Sequence, residues 1–179
     1  MADTVFERMR ARLKILGIKP SPHLLVANLA RQELRHLDGA RERVYRMSSS
    51  ARPPSCVADS LGTPTGLHAI ADKIGAGEPE GTVFRGRVPV ASHWRDLPPA
   101  EQQRNCITSR ILRLRGLEPR HNAGESRDSY ARYIYIHGTN HEERLGQPFS
   151  SGCLELSNAD VRELFEAVPE GSLLWIIED

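Results

Sequence analysis

Two residues of this chain have types and positions that could do chemistry together. Cys153 stands in Ser150-Ser151-Gly152-Cys153, and His137 closes the run Arg132-Tyr133-Ile134-Tyr135-Ile136-His137. A free thiol, with a pKa of about 8.5, is mostly protonated at neutral pH and needs a base or a positive field to become a nucleophile. His137, one loop upstream, is the candidate base. A cysteine just after a glycine and before Leu154-Glu155-Leu156 sits where the backbone N–H groups of Gly152 and Cys153 can converge on a developing oxyanion, a contribution of about 3 kcal/mol per donor. The chemistry that fits is acyl transfer through a thioester.

The other candidates are weaker. Three cysteines without a CxxC pair argue against a disulfide framework and a zinc ribbon, and Cys56 and Cys106 read as small buried hydrophobes. His137 and His141 are four apart with His121 nearby, a spacing that serves zinc on a helix. Gly138 and the β-branched residues before it oppose a helix, and the glutamate of HExxH is missing. His23, His36, His68 and His93 read as surface or turn residues.

Composition narrows the partners. The 179 residues carry a formal net charge of +1, with 26% charged and 39% hydrophobic residues. Such a balance gives no electrostatic reason to follow a phosphate backbone, so nucleic acid is not an expected partner. The charged stretch Met1–Gly17 lacks the apolar core of a signal peptide, and no run reaches the ~20 apolar residues that span a bilayer. If Met1 is the natural start, a cytoplasmic location is expected; a trimmed chain would leave the periplasm open. Oligomeric state is not legible.

The elements that must position the pair are mostly strands. Val5, Met9, Leu13 and Leu16 are spaced for a short amphipathic helix, which Lys19-Pro20-Ser21-Pro22 ends. We therefore divide the chain into a helical extension, residues 1–20, and a catalytic domain, residues 21–179. Strands are expected over 23–28, 32–37 and 43–47, the last two joined at Asp38-Gly39. Further strands are expected over 67–70, 107–114, 132–137 and 172–177, with mostly loop through 72–101 and a helix over 158–168 capped by Ser157 or Asn158. Alternation along 132–137 points Tyr133, Tyr135 and His137 to one face, towards a groove, and Ile134 and Ile136 into the core. The fold class is mostly β.

His137-Gly138-Thr139-Asn140, followed after a loop by Ser150-Ser151-Gly152-Cys153-Leu154, resembles the signature of the L,D-transpeptidase (YkuD-type) family. Gly62-Thr63-Pro64-Thr65-Gly66 is similar to the family's hairpin, and Asn158-Ala159-Asp160-Val161 with Pro169-Glu170-Gly171 to its last helix and strand. The likeness runs from about Leu24 to Ile177. It implies a β-sandwich-like catalytic domain, with a helix in the C-terminal region and the short N-terminal helix added here.

The resemblance also implies the chemistry. Cys153 would attack the carbonyl of meso-diaminopimelate in a peptidoglycan tetrapeptide stem and expel D-alanine. His137, oriented by the Gly138 carbonyl, would take the thiol proton and return it to the leaving amine. Gly152 and Cys153 would form the oxyanion site, with Tyr135 and Ser151 beside the substrate; no cofactor or metal is implied. Two departures stand out: Ser151 replaces a frequent histidine, and Glu155 replaces the usual arginine, where a cation could hold a carboxylate. Arg144 or Arg110 could substitute. Water would resolve the thioester in an L,D-carboxypeptidase acting on recycled muropeptides, and a second stem's amine in a crosslinking L,D-transpeptidase. A murein-binding module without activity is the non-enzymatic alternative.

Overall fold

A computed structural model describes residues 4–179. Helix α1 (Val5–Ile15) opens with a capping box, in which the Thr4 hydroxyl accepts from Glu7 N–H and the Glu7 carboxylate accepts from Thr4 N–H. Gly17, at φ +67°, ends it in the left-handed conformation that glycine takes without strain. Phe6, Met9 and Leu13 are its buried residues. Leu16, expected on that stripe, lies past the helix end and is 38% exposed; Phe6 fills the third place.

Ten strands form one hydrogen-bonded sheet. They are β1 (His23–Asn28), β2 (Glu33–Asp38), β3 (Arg41–Arg46), β4 (Gly66–Ile74), β5 (Val83–Arg85), β6 (Val88–Ala91), β7 (Ile107–Gly116), β8 (Tyr135–Gly138), β9 (Leu154–Leu156) and β10 (Leu173–Ile177). The order is β3-β2-β1-β10-β4-β7-β5-β6, with β8 on β7 and β9 on β8. β1 runs parallel to β10 and β8 parallel to β9; the other pairs are antiparallel. β2 and β3 meet across Gly39-Ala40, with Gly39 at φ +59°. Two further helices are the single turn α2 (Pro99–Gln102) and α3 (Asn158–Ala167), which is capped by Ser157. Among the described residues no helix is long and apolar enough to cross a membrane.

Both faces of the sheet centre are covered. Leu24 and Val26 of β1 pack with α1, while Leu25 and Ala27 pack in the larger cluster containing Val161, Leu164 and Phe165 of α3. This explains why β1 is a continuous apolar run and not an alternating one. The larger cluster also draws Leu34, Tyr45, Leu114, Ile136, Leu154 and Ile176, so the sheet curls around α3 and encloses one core. The expected sandwich thus takes the form of a single curled sheet.

Three expectations need correction. Residues 72–101 hold more strand than expected: β5 and β6 form a small hairpin there, and β4 reaches Ile74. The strand expected to start at Arg132 starts at Tyr135, because Tyr133 is in the left-handed region at φ +56°. His36 and His68, read as surface residues, are 3% and 0% exposed, and His68 Nε2 lies 2.9 Å from Ser129 Oγ.

Candidate active site

The two candidate reactive residues reach one another through the β8–β9 pairing. Its parallel register sets Ile136 against Leu154, His137 against Glu155 and Gly138 against Leu156, with Cys153 just ahead of β9. The preceding loop is tied by Ser150, whose hydroxyl accepts from Gly152 N–H (3.2 Å) and donates to the Cys153 carbonyl (2.6 Å). Gly152 adopts φ +126°, a conformation that favours glycine there.

Cys153 is half-buried against Phe84, Ile111 and Tyr135, whereas Cys56 and Cys106 are buried. Tyr135 N–H donates to its sulfur at 3.4 Å, and the Tyr133 carbonyl lies 3.6 Å from it.

His137 is 3% exposed, and its Nδ1–H donates to the Gly138 carbonyl at 2.7 Å. That bond leaves Nε2 for the sulfur. Burial alone would push the imidazole towards its neutral form. The hydrogen bond to Cys153, the Glu155 carboxylate, the charge on Cys153 and the Gly138 carbonyl outweigh it and raise the pKa to about 9. The arrangement can hold a thiolate beside an imidazolium and later return the proton to a leaving amine.

The segment after β8 is held from three sides. The Asn158 amide donates to the Thr139 carbonyl (2.9 Å) and to Glu142 Oε1 (2.6 Å), while its oxygen accepts from Thr108 (2.6 Å) and Ser109 (2.5 Å) at a bulge in β7. The Asn140 amide donates to the Gln102 and Arg104 carbonyls, and its oxygen accepts from Cys106 N–H. Neither asparagine was singled out in the sequence as a support of the histidine. Gly138 itself has no room for a side chain: a Cβ would come within 2.7 Å of the Thr108 carbonyl oxygen and 2.9 Å of its hydroxyl. We expect Gly138→Ala to push β7 and β8 apart, lower stability by about 1–3 kcal/mol in urea unfolding, and weaken activity through the displaced His137.

The remaining expected site residues are placed unevenly. Gly152 N–H is already engaged by Ser150, which leaves the Cys153 amide as the candidate oxyanion donor. Tyr135 is 5% exposed, so its link to the nucleophile is its backbone amide, while its hydroxyl accepts from Arg87 at 3.3 Å. Ser151 is exposed on the nucleophile loop. Arg144 is exposed and stacks on Phe149 at 4.3 Å. Arg110 is 4% exposed, donates to the Glu78 and Ser109 carbonyls, and lies 5.4 Å from the Phe165 ring on the α3 side. Its guanidinium is thus committed to the fold. The three imidazoles considered for zinc have separate settings: His137 beside Cys153, His141 3.4 Å from Glu143, and His121 beside Cys56 and Thr65.

Cations missed in the sequence lie instead around Tyr133, whose carbonyl is 3.6 Å from the sulfur. Tyr133, 51% exposed, carries Arg87 at 4.8 Å and Arg113 at 4.9 Å from its ring. Arg132 donates to the Ser55 and Gly62 carbonyls and is close enough to feel the charge of Cys153, although burial still lowers its pKa.

The curled, mostly β sheet thus brings Cys153 and His137 together beside a backbone amide. The comparisons supply the family: the model of the L,D-transpeptidase catalytic domain, YkuD, matches residues 22–176, and the chain belongs to that family. YqjB of Bacillus subtilis (strain 168), which carries an L,D-transpeptidase name, is 36% identical over 55 residues, covering 31% of each chain. YbiS of Escherichia coli (strain K12), likewise named, is 43% identical over 54 residues, covering 28% of this chain and 18% of its own. An L,D-transpeptidase from Mycobacterium smegmatis shares the fold with a TM-score of 0.53 at 16% identity, over 87% of this chain and 58% of that one. The chain therefore spans about a third or less of the curated relatives it matches.

Proposed function

We propose that this protein cleaves the bond between meso-diaminopimelate and D-alanine in peptidoglycan tetrapeptide stems, through a thioester on Cys153 that water resolves. The observation that carries this reading is the His137 ring, with Nδ1 fixed by the Gly138 carbonyl and Nε2 turned to the Cys153 sulfur. Sγ attacks the carbonyl, the oxyanion gathers beside the Cys153 amide, and imidazolium protonates the departing D-alanine nitrogen. Water then adds to the thioester with His137 as its base, releasing the tripeptide.

The cations around Tyr133 support two features of this proposal. Arg87 and Arg132 offer a positive setting for the terminal carboxylate of the stem, in place of the arginine that Glu155 displaces. The same guanidinium groups disfavour the approach of an ammonium-bearing acceptor and leave water unaffected. The reading thus favours an L,D-carboxypeptidase over a crosslinking L,D-transpeptidase. Incubation of the purified protein with a murein tetrapeptide, followed by mass spectrometry, is expected to yield tripeptide and D-alanine in equal amounts. A crosslinked dimer as the main product would overturn the hydrolytic step; no release of D-alanine would overturn the whole reading.

A further inference from the structure

Glu155 stands where the family resemblance leads one to expect a cation. It is 1% exposed, and its strand partner across the parallel register is His137. Oε1 accepts from Asn105 Nδ2 at 2.6 Å and lies 4.0 Å from His137 Nε2, the nitrogen that serves the sulfur. Oε2 is buried without a hydrogen-bond partner. A carboxylate shut away from water with one neutral donor is costly unless a positive charge stands close to it. The neighbour able to supply that charge is the imidazole. A glutamate that served the fold alone would have both oxygens satisfied.

We propose that Glu155 is a positioning residue that stabilises the imidazolium form of His137 as Cys153 passes its proton to Nε2. The S–H bond breaks, its proton forms an N–H bond at Nε2, and the electron pair remains on sulfur. Glu155 keeps its negative charge, and Nδ1–H keeps its bond to the Gly138 carbonyl. The carboxylate is 4.0 Å from the imidazole nitrogen, close enough for its negative charge to favour the imidazolium.

The groups facing His137 leave this role to Glu155. From the β9 side come Glu155 and Cys153; from β7, the paired residue is the uncharged Ile111, with Thr108 opposite Gly138. The loop before β7 contributes the neutral Asn105, whose oxygen also accepts from Thr139. Along β8, the cation Arg87 is bound at the Tyr135 hydroxyl. The carboxylate within 4.0 Å of the ring is that of Glu155.

The proposal rests on Cys153 and His137 forming the reactive pair, but its test needs no substrate. In ¹⁵N-labelled full-length protein, the His137 ring nitrogens are followed by NMR as a function of pH in wild type, Glu155→Gln and Asn105→Ala. Gln is isosteric and keeps an acceptor for Asn105, so removal of the charge is the main change. Wild-type His137 is expected to titrate near 9. Glu155→Gln is expected to lower that value by about one pH unit or more, and Asn105→Ala, which keeps the charge, by much less. An unchanged value in Glu155→Gln, or an equal fall in both variants, overturns the proposal. If Glu155→Gln does not fold, wild type decides together with Asn105→Ala: a wild-type value at or below about 6.5, or a fall of a full unit in Asn105→Ala, overturns it. A protein whose His137 behaves as expected yet releases no D-alanine would defeat the substrate assignment and leave this role intact.

Discussion

Replacing Cys153 by alanine is expected to abolish D-alanine release, with kcat/KM falling by about 10³-fold or more. A covalent route loses its bond-forming atom, and neither the Cys153 amide nor the guanidinium groups around Tyr133 can supply another nucleophile. The loss should be chemical and not structural. Cys153 is half-buried and its sulfur meets the His137 ring, Tyr135 N–H and the Tyr133 carbonyl, so the variant should stay folded, with a urea midpoint lowered by little more than the lost His137 contact. Cys56 and Cys106 are buried, and a thiol reagent that labels wild type at one fast site should find none in the variant. Retention of more than about a tenth of the activity would move the nucleophile elsewhere.

His137→Gln is expected to lower kcat/KM by about 10²–10⁴-fold. The amide can still donate to the Gly138 carbonyl, which separates loss of proton transfer from loss of the local fold. Wild-type activity should fall on the alkaline side as pH passes about 9, where the ring loses the proton that the leaving amine requires. The variant should lack that limb. Stability follows with a definite sign. The folded pKa lies above the ordinary value of 6.5, so the contribution is fully present below about 6.5 and disappears as pH rises through about 9. Urea midpoints across that window should therefore fall in wild type and change less in His137→Gln. An activity profile flat beyond pH 10 would remove the imidazolium from the mechanism.

How much of this was legible depended on how local the cause was. α1 carries its capping box within four residues, β1 is an apolar run buried on both faces, and the β2–β3 turn is set by one glycine; all three are written in adjacent residues. The order of the histidine and cysteine motifs also pointed to the two side chains that the structure sets next to each other. Residues whose roles come from distant partners stayed hidden. The bulge between Thr108 and Ile111 breaks the alternation of β7, and Arg110 there packs towards α3, which simple counting could not show. Tyr133 looks like a strand residue, but packing holds it in the left-handed region. β5 and β6 are short and punctuated by Gly86 and Pro89, so their pairing with β7 and each other decided them. Glu155 was visible as a departure from the resemblance. Its neighbour His137 emerged only from a parallel register between strands distant in the chain.

That β1 lies between β2 and β10 has a consequence for biogenesis. Leu24 is aligned with Leu173, so a nascent chain carries one edge of β1 bare until residues 173–177 have left the ribosome. Such long-range closure is entropically slow, and an unpaired apolar strand invites association with other chains. Translation can finish the β2–β3 hairpin early, but the barrier to a complete sheet is crossed only after residues 173–177 arrive. A stop codon a few residues short of that segment would give a polypeptide that aggregates, even though it still encodes both reactive side chains.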